Sequence, residues 1–195
     1  YGLLYRISLK SAKKKLEKLS TLDPLTHLPT RRYFKSQVNY EIAISRRYDL
    51  NASFLLMDID HFKKVNDTYG HEAGDQVLME LSDILRENVR DSDTVARFGG
   101  EEFMLLLSHT DTEGARILAE RLRKIIENHV FLSDTLKLHI SISIGVAPLF
   151  YRLSEPFKAT YLAVDQALYD AKNQGRNKVV TLKEAPKPIE EDFEK

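Results

Sequence analysis

The sequence contains no cysteine, which excludes disulfide bonds, thiolate zinc sites and cysteine nucleophiles. It also has no net charge, because 29 Lys and Arg side chains balance 29 Asp and Glu side chains. A nucleic-acid scaffold usually shows a basic surplus, so this balance argues against nucleic acid as a partner. The six histidines lack the spacing of a metal site and are His27, His61, His71, His109, His129 and His139.

Long apolar runs are missing as well, and no stretch approaches the ~20 apolar residues that a membrane span requires. Residues 1–22 nevertheless begin with apolar side chains and continue into Lys10, Lys13 and Lys14. That order is typical of the cytoplasmic end of a spanning helix, and equally of a solvated linker helix. The first alternative predicts a cytoplasmic domain joined to a sensor region that is anchored in the inner membrane.

One folded domain is expected, since 43% of the residues are hydrophobic and the length suits a single core. We place it at residues 23–182, after the linker helix, and predict a disordered tail at residues 183–195. Patterning predicts strands at residues 52–60, 94–98, 102–107, 138–147 and 177–182. It predicts helices at residues 31–46, 75–88, 111–129 and 156–175, with N-caps at Thr30 and Asp111.

The predicted order is β-α-β-β-α-β with one further helix and strand, which indicates an α+β fold of the ferredoxin-like type. We expect a mixed sheet with helices largely on one face and a hairpin beside the first strand. Gly99 and Gly100 predict a two-residue hairpin turn with positive φ. In the strand at residues 138–147, isoleucines alternate with Ser141 and Ser143, which predicts a half-buried strand.

Acidic side chains stand at two places that this topology would bring together. Asp58 and Asp60 end the first strand, where side chains two residues apart share a face. Glu101 and Glu102 follow the paired glycines, so one of them would reach Asp58 if the hairpin pairs with that strand. Hard oxygen ligands without nearby His or Cys favour Mg²⁺ or Mn²⁺ over zinc. The alternatives are a strand-end cap for the first place and a polar turn for the second.

Five motifs in a fixed order resemble the diguanylate cyclase family, whose domains are also called GGDEF domains. They are DPLTHLPTRR, MDIDHFKKVNDTYGHEAGD, RFGGEEF, SIGVA and YDAKNQGRNKV, within residues 23–180. The resemblance implies that two GTP molecules condense into cyclic di-GMP with release of two pyrophosphates. It also implies a fold similar to the palm of polymerases and adenylyl cyclases. A Walker A pattern, which would hold phosphates differently, is not present in the sequence.

The resemblance implies a metal centre at the acidic residues. Asp58, the main-chain carbonyl of Ile59 and Glu101 would hold Mg²⁺ or Mn²⁺, with two ions per active site. Glu101 would also act as general base for the attacking 3′-hydroxyl, and Lys63 would contact phosphate. Cations near the α-phosphate neutralise developing charge and acidify the hydroxyl.

Five residues match the family's positions for GTP. Asn66, His71 and Asp75 correspond to the guanine side, where a carboxylate can accept the paired N1–H and N2–H donors that adenine lacks. Lys172 and Arg176 resemble the clamp for the triphosphate, and their i, i+4 spacing would place both on one helix face. The alternatives are a capping or packing role for His71 and a solvated helix end for the two cations.

Arg90 and Asp93 form an RxxD motif, and five residues separate it from the paired glycines. The motif resembles the family's inhibitory site for its own product, and Arg121 matches a further arginine often found there. Guanidinium groups suit phosphate and the N7 and O6 acceptors of guanine. A chance occurrence is the alternative, since RxxD is a short pattern.

Two residues depart from the family pattern: His27 stands where glycine is usual, and Thr30 stands where asparagine is usual. Thr30 keeps the ability to cap a helix, whereas His27 is expected to disturb a tight turn. Each domain would bring one GTP, so the resemblance implies a homodimer for catalysis. The rival hypotheses are a non-catalytic receptor for GTP or cyclic di-GMP, and a palm-type transferase that uses another nucleotide.

Overall fold

The computed structural model describes residues 21–132 and 134–185. The predicted linker helix at residues 1–22 lies outside the described residues except for its last two positions, and so do residues 186–195 of the predicted tail. The predictions for these two ends therefore stay predictions. None of the helices in the described ranges combines the length and the apolar character that crossing a bilayer requires.

Within the described residues, five strands form one mixed sheet with the order β2-β3-β1-β4-β5. The strands are β1 Ala52–Ile59, β2 Thr94–Arg97, β3 Glu102–Ser108, β4 Ile142–Pro148 and β5 Val179–Thr181. The helices are α1 Arg31–Tyr48, α2 Phe62–Tyr69, α3 His71–Glu87, α4 Thr112–Asn128 and α5 Pro156–Asn173. β1 lies antiparallel between β3 and β4, so the hairpin lies beside the first strand as predicted.

Helices cover both faces of the sheet, which corrects the expectation that they lie largely on one face. On one side, Leu55 and Met57 of β1 pack with residues of α3 and α4. On the other side, Phe54 and Leu56 pack with residues of α1 and α5. Every residue of β1 is buried, and a strand without a polar face needs cover on both sides. The α+β class and the mixed sheet are confirmed.

The connection between β2 and β3 differs from the predicted two-residue turn. It runs from Phe98 to Glu101, and the amides of Phe98 and Gly99 both donate to the carbonyl oxygen of Glu102, at 2.8 and 3.3 Å. Neither glycine of this turn has the predicted positive φ. The longer connection leaves Glu101 outside the strand ladder, directly before the Glu102 that begins β3.

β4 is buried on both faces, so the prediction of a half-buried strand is wrong. Ser143 has no exposed surface, and its hydroxyl donates to Asp60 Oδ1 at 2.7 Å. Ser141, directly before the strand, donates to Asp60 Oδ2 at 2.7 Å. The serines of this segment therefore mark buried hydrogen bonds rather than a solvent-facing side, because a buried hydroxyl is tolerated where it has a partner.

Two helices near the end of β1 differ from the predicted boundaries. The hydrophobic pattern does not predict α2, because that helix is short and buries few side chains, namely Phe62 and Val65. α3 begins at His71, four residues before the predicted start at Asp75. Gly70 separates the two helices with a φ of 85°, which glycine adopts at little cost.

The two predicted N-caps have different outcomes. Asp111 accepts a hydrogen bond from the amide of Gly114 at 2.8 Å, so the cap of α4 is confirmed. Thr30 precedes α1 as predicted, but its side chain makes no capping hydrogen bond. Its hydroxyl donates instead to the carbonyl oxygen of Thr21 at 3.3 Å.

His27 adopts a left-handed conformation with a φ of 55°, which explains why glycine suits this position. The turn forms nevertheless, because Asp23 organises it. The amide and the hydroxyl of Thr26 both donate to Asp23 Oδ1 at 2.9 Å. The amide of Asp23 also donates to the carbonyl oxygen of Leu28 at 2.7 Å.

Gly145 allows α5 to pack directly on β4. A Cβ at this position would lie 2.2 Å from the carbonyl oxygen of Val164 and 2.5 Å from the amide nitrogen of Leu168. Both atoms belong to the main chain of α5, so the whole helix would have to move to relieve the overlap. The contact therefore sets the distance from the sheet to α5 and to Lys172 in its last turn.

We expect Gly145→Ala to lower the free energy of unfolding by about 2 kcal/mol, a typical cost for overpacking a core. Thermal denaturation should then show a fall in Tm of roughly 4–8 °C for a chain of this size. Gly100→Ala is the control for the loss of a glycine, because a Cβ at Gly100 meets no atom within 4 Å. An unchanged Tm for Gly145→Ala would show that α5 does not depend on this contact.

Candidate functional site

The candidate site lies at the end of β1, where Asp58 stands between two neighbouring strands. Asp58 pairs with Glu102 of β3 on one side and with Ser143 of β4 on the other. It is 8% exposed, and its Oδ2 lies 2.9 Å from the ammonium nitrogen of Lys172. The pairing of the hairpin with β1 thus brings an acidic residue of the hairpin opposite the acid at the end of the strand.

Arg97 fixes the main chain of the hairpin and connects it to the turn before α1. Its Nε and Nη2 donate to the carbonyl oxygen of Gly100, at 3.1 and 2.8 Å. Its Nη1 donates to Asp23 Oδ1 at 3.1 Å, and both side chains of this ion pair are largely buried. A charge-assisted contact of this kind is stronger than a neutral hydrogen bond, so the hairpin is held from outside the sheet.

The ring of Phe98 anchors the start of the same hairpin. It stacks on Tyr161 of α5 with the ring centroids 5.5 Å apart, and it meets Phe34 edge-on at 6.2 Å. The guanidinium of Arg31 lies 4.4 Å from the centre of the Phe98 ring. Aromatic and cation–π contacts therefore tie the hairpin to both α1 and α5.

The two glutamates of the hairpin have different surroundings. The carboxylate of Glu102 lies against Gly99, where a Cβ would stand 2.7 Å from Glu102 Oε2. Gly99 thus leaves space that the Glu102 carboxylate occupies, and its main chain does not adopt a positive φ. Glu101 is half-buried and precedes the first residue of β3, so it is not constrained by the strand ladder.

Burial and mutual repulsion act on the carboxyl groups of the site. Burial raises the pKa of Asp58, and the Lys172 ammonium opposes this effect without cancelling it. Burial also raises the pKa of Glu101 and Glu102, and the charge of Asp58 raises it further. Because each of these carboxylates is destabilised in its ionised form, a cation bound among them would be favoured.

The donor atoms available here fit a hard divalent cation. The carboxylates of Asp58 and Glu101 and the main-chain carbonyl of Ile59 are oxygen ligands of the kind that Mg²⁺ and Mn²⁺ prefer. Among residues 21–132 and 134–185, no three side chains of His, Cys, Asp or Glu converge as a metal cluster. The predicted ligand set contains two side chains, so it would be completed by main-chain oxygens and by oxygens from outside the protein.

Asp60, the second acid of the strand end, is occupied by hydrogen bonds within the protein. The hydroxyls of Ser143 and Ser141 donate to its two oxygens, and the main-chain amide of Asn177 donates to Oδ2 at 3.0 Å. Asp60 therefore connects the end of β1 to β4 and to the loop after α5. Its charge also contributes to raising the pKa of Asp58.

The residues predicted for the guanine side lie on α2 and α3. The carboxamide of Asn66 lies over Gly74, and Asp75 follows that glycine with its side chain exposed. His71 is the first residue of α3, so the helical relation of His71 to Asp75 is confirmed. Lys63 lies in the first turn of α2, and its side chain is exposed.

Lys172 and Arg176 do not share a helix face, so that prediction is wrong. α5 ends at Asn173, and the chain then turns through Gly175 with a φ of 103° and Arg176 with a φ of 62°. The residue spacing misleads here because glycine ends the helix between the two cations. The charge of Arg176 nevertheless acts to lower the pKa of Asp58, so both cations influence the acidic site.

The RxxD residues line a separate cavity of about 520 Å³ that also includes residues of β3 and α4. Arg90, Asp93 and Arg121 all contribute to its lining. Asp93 Oδ2 accepts a hydrogen bond from the main-chain amide of Arg90 at 3.1 Å, and Asp93 Oδ1 is buried. Burial raises the pKa of Asp93. The cavity therefore combines two guanidinium groups with one carboxyl group.

Sequence reasoning did not select Arg97, Phe98 or Tyr161, although they hold the hairpin in place. Arg97 and Phe98 belong to the RFGGEEF motif, which was a usable signal for both. Tyr161 had no such signal, because its contact with Phe98 joins α5 to a hairpin about sixty positions earlier in the chain. The local hydrophobic pattern does not predict a stacking contact between residues so far apart in the sequence.

A mixed sheet whose central strand ends in a buried acid beside an acidic hairpin defines a palm-type α+β domain. Residues 20–178 match the family described as diguanylate cyclase, GGDEF domain, and the chain belongs to that family. Diguanylate cyclase A of Treponema denticola is 39% identical over 176 residues, covering 86% of this chain and 46% of that protein. The chain spans about half the length of the curated relatives it matches.

Solved structures of relatives have the same fold. Diguanylate cyclase SiaD of Pseudomonas aeruginosa, solved with its activator SiaC, has a TM-score of 0.78 and 35% identity, covering 93% of this chain and 69% of that one. The GGDEF domain of DgcB from Caulobacter crescentus, solved with c-di-GMP, has a TM-score of 0.75 and 28% identity, covering 83% and 92%. These similarities confirm the predicted fold class.

The raised pKa of Asp58 predicts how its replacement changes stability with pH. The folded protein binds the Asp58 proton more tightly than the unfolded chain does. Protonated Asp58 therefore contributes stability that is fully present below the ordinary pKa of 3.8 and is lost as the pH rises through the raised pKa. Asp58→Asn should therefore have a higher Tm than the unsubstituted protein at pH 7 in metal-free buffer. The difference should shrink as the pH is lowered towards 3.8.

The control for this measurement is Asp83→Asn, which removes an exposed carboxylate that pairs with Arg86. No gain in Tm at pH 7 is expected for the control. A lower Tm for Asp58→Asn at pH 7 would mean that pairing with Lys172 outweighs the burial of Asp58.

Proposed function

We propose that the protein is a diguanylate cyclase that condenses two GTP molecules into cyclic di-GMP and releases two pyrophosphates. The observation that carries the proposal is the buried Asp58 with the hairpin acid Glu102 opposite it and the Lys172 ammonium 2.9 Å from its Oδ2. Preorganised charges of both signs suit phosphoryl-type transfer, in which charge spreads over the phosphate oxygens. Membership of the GGDEF family supports the same reaction.

Asp58, the carbonyl of Ile59 and Glu101 would hold the divalent cations, Mg²⁺ or Mn²⁺, with two ions per site. When bound, the cations would neutralise charge on the α-phosphate and acidify the 3′-hydroxyl. Glu101 would accept the proton of the 3′-hydroxyl. The hydroxyl oxygen would attack the α-phosphorus of the other GTP, and the bond from that phosphorus to the leaving pyrophosphate would break. Burial raises the pKa of Glu101, which brings it closer to the operating pH that suits a general base.

Positive side chains around the acids would bind the triphosphate. Lys172 reaches Asp58 from the last turn of α5, and Arg176 acts on Asp58 from the loop that follows. Lys63 is exposed on α2, directly after the end of β1, and would contact phosphate from that side. These cations also offset the carboxylates, whose charge would otherwise repel the phosphates of GTP.

Asn66, His71 and Asp75 would recognise the guanine base. Asp75 is exposed at the start of α3 and would accept the paired N1–H and N2–H donors of guanine. The carboxamide of Asn66 lies over the neighbouring Gly74 and would bind the remaining edge, with His71 one helical turn before Asp75. ATP lacks the paired donors, so this arrangement favours GTP over ATP.

The reaction joins two GTP molecules, and each domain would bind one of them. A homodimer with two facing sites is therefore part of the proposal. Because GTP is the substrate, the domain would work in the cytoplasm, whether or not a sensor region of the full-length protein is anchored in the inner membrane. A non-catalytic receptor is the alternative, and it would bind GTP or cyclic di-GMP without turnover.

The cavity at Arg90, Asp93 and Arg121 would bind the product and inhibit the enzyme. Its two guanidinium groups suit the phosphates and the N7 and O6 acceptors of guanine, and Asp93 holds the main chain at Arg90. The four-residue strand β2 joins Asp93 at one end to the hairpin with Glu101 at the other. A ligand in the cavity would thus act on the hairpin through one short strand.

We expect Glu101→Gln to reduce the formation of cyclic di-GMP by at least ~100-fold, because the variant loses both a metal ligand and a general base. The assay incubates an artificially dimerised sample with GTP and Mg²⁺ and separates the products by chromatography, with ATP in a parallel reaction. Thermal denaturation should show that the variant remains folded. Glu113→Gln, which alters an exposed glutamate paired with Arg116 on α4, is the matched control and should keep full activity.

Three results would count against the proposal, two from that assay and one from calorimetry with cyclic di-GMP. No cyclic di-GMP from the dimerised, unsubstituted protein would reject catalysis, and product binding without synthesis would favour the receptor. Equal use of ATP would favour a different nucleotidyl transferase.

We expect Arg90→Ala to raise the concentration of cyclic di-GMP needed for half-inhibition by roughly tenfold or more, because a charge-assisted contact is lost. The rate without added product should stay unchanged, since Arg90 lines the separate cavity. Lys158→Ala is the control, because this exposed lysine of α5 pairs with Glu155, directly before the helix, and lies outside the residues that line the cavity. Unchanged inhibition of the Arg90 variant would end the assignment of this cavity.

A further inference from the structure

Gly74 lies beneath the side chain that the proposed function assigns to the guanine base. It is a buried residue in the first turns of α3. A Cβ built on Gly74 would stand 1.9 Å from Oδ1 and 3.0 Å from Cγ of Asn66. Real Cβ atoms essentially never approach another atom within 3.0 Å. The carboxamide of Asn66 therefore occupies the space that any side chain at position 74 would need.

The main chain around this contact is fixed by the turn between α2 and α3. The amide of Gly70 donates to the carbonyl oxygen of Asn66 at 2.9 Å, and the amide of Gly74 donates to the carbonyl oxygen of Gly70 at 3.3 Å. Phe62 and Val65 of α2 and Ala73 of α3 are buried in the core of the same sheet face. Since both helices are anchored, a Cβ at position 74 would displace the flexible end of Asn66 rather than a helix.

We propose that Gly74 is a positioning residue for guanine recognition, because its missing Cβ leaves open the place from which Asn66 reaches the base. The inference rests on the proposed function, since it requires GTP to bind beside α2 and α3. Asp75 follows Gly74 and would keep its place if the carboxamide were displaced. A substitution at Gly74 would thus remove one polar partner of guanine and leave the other.

A purely structural explanation of Gly74 predicts different results. The same Cβ would stand 3.2 Å from Cζ of Phe62, so the glycine also makes room for packing between the two helices. If this were its whole role, Gly74→Ala would lower stability and leave base specificity unchanged. Displacement of Asn66 predicts the reverse, because alanine has the higher helix propensity and the clash is relieved by rotation of one side chain.

The experiment measures the binding of 3′-deoxy-GTP and 3′-deoxy-ATP by calorimetry, with the full chain and Mg²⁺. These nucleotides lack the attacking hydroxyl, so binding is observed without turnover. We expect Gly74→Ala to weaken the binding of the guanine nucleotide roughly tenfold, the effect of one lost hydrogen bond, with the Tm not lowered. Gln76→Ala, an exposed position on the same helix, is the matched control and should bind like the unsubstituted protein.

A double-mutant cycle separates the two roles of Gly74. In the Asn66→Ala background the clashing atoms are gone, so adding Gly74→Ala should change guanine binding by less than about twofold. The inference is overturned if Gly74→Ala keeps the full preference for guanine. It is equally overturned if the substitution weakens binding by the same factor in both backgrounds. If the unsubstituted protein does not prefer the guanine nucleotide, the proposed function itself fails, and the inference fails with it.

Discussion

The burial of a negative charge at the end of a strand that is covered on both faces is the constraint on which the rest of the site depends. Asp58 occupies that position, and an ionised carboxylate with little exposure is costly unless opposite charge lies close to it. Lys172 supplies part of that charge, yet burial still raises the pKa of Asp58. The positive charge of Lys172 therefore does not fully offset the burial of Asp58, and this remaining imbalance favours the binding of a divalent cation.

Two aspartates that are only two residues apart, Asp58 and Asp60, have different surroundings and different roles. Asp60 accepts hydrogen bonds from Ser141, Ser143 and Asn177, and so joins the end of β1 to β4 and to the loop after α5. Asp58 has one lysine as a partner and remains available to ligands. The hydrogen bonds of Asp60 hold the strand end rigidly, and a rigid strand end can keep the destabilised carboxylate of Asp58 in place.

Much of the fold follows from local signals in the sequence, namely hydrophobic periodicity, capping residues and the paired glycines of the hairpin. Those signals predict the strands, most helices and the pairing of the hairpin with β1. They fail for α2, whose two buried side chains are too few to form a pattern. They also fail for Ser143, because a serine that faces a buried acid has the same spacing as a serine that faces water.

For the candidate site, the sequence by itself determined which residue types are present, since the motifs fix acids, amides and cations at given positions. Tertiary structure alone decided what each of them can do. Gly99 makes room for Glu102 instead of supplying a positive φ, and Arg176 reaches the acids from a loop instead of a helix. Asp60 accepts three hydrogen bonds while Asp58 pairs with one lysine, because the donors that reach Asp60 come from segments 81 to 117 residues away. A side chain's chemistry depends on the groups packed around it, and long-range packing brings those groups together.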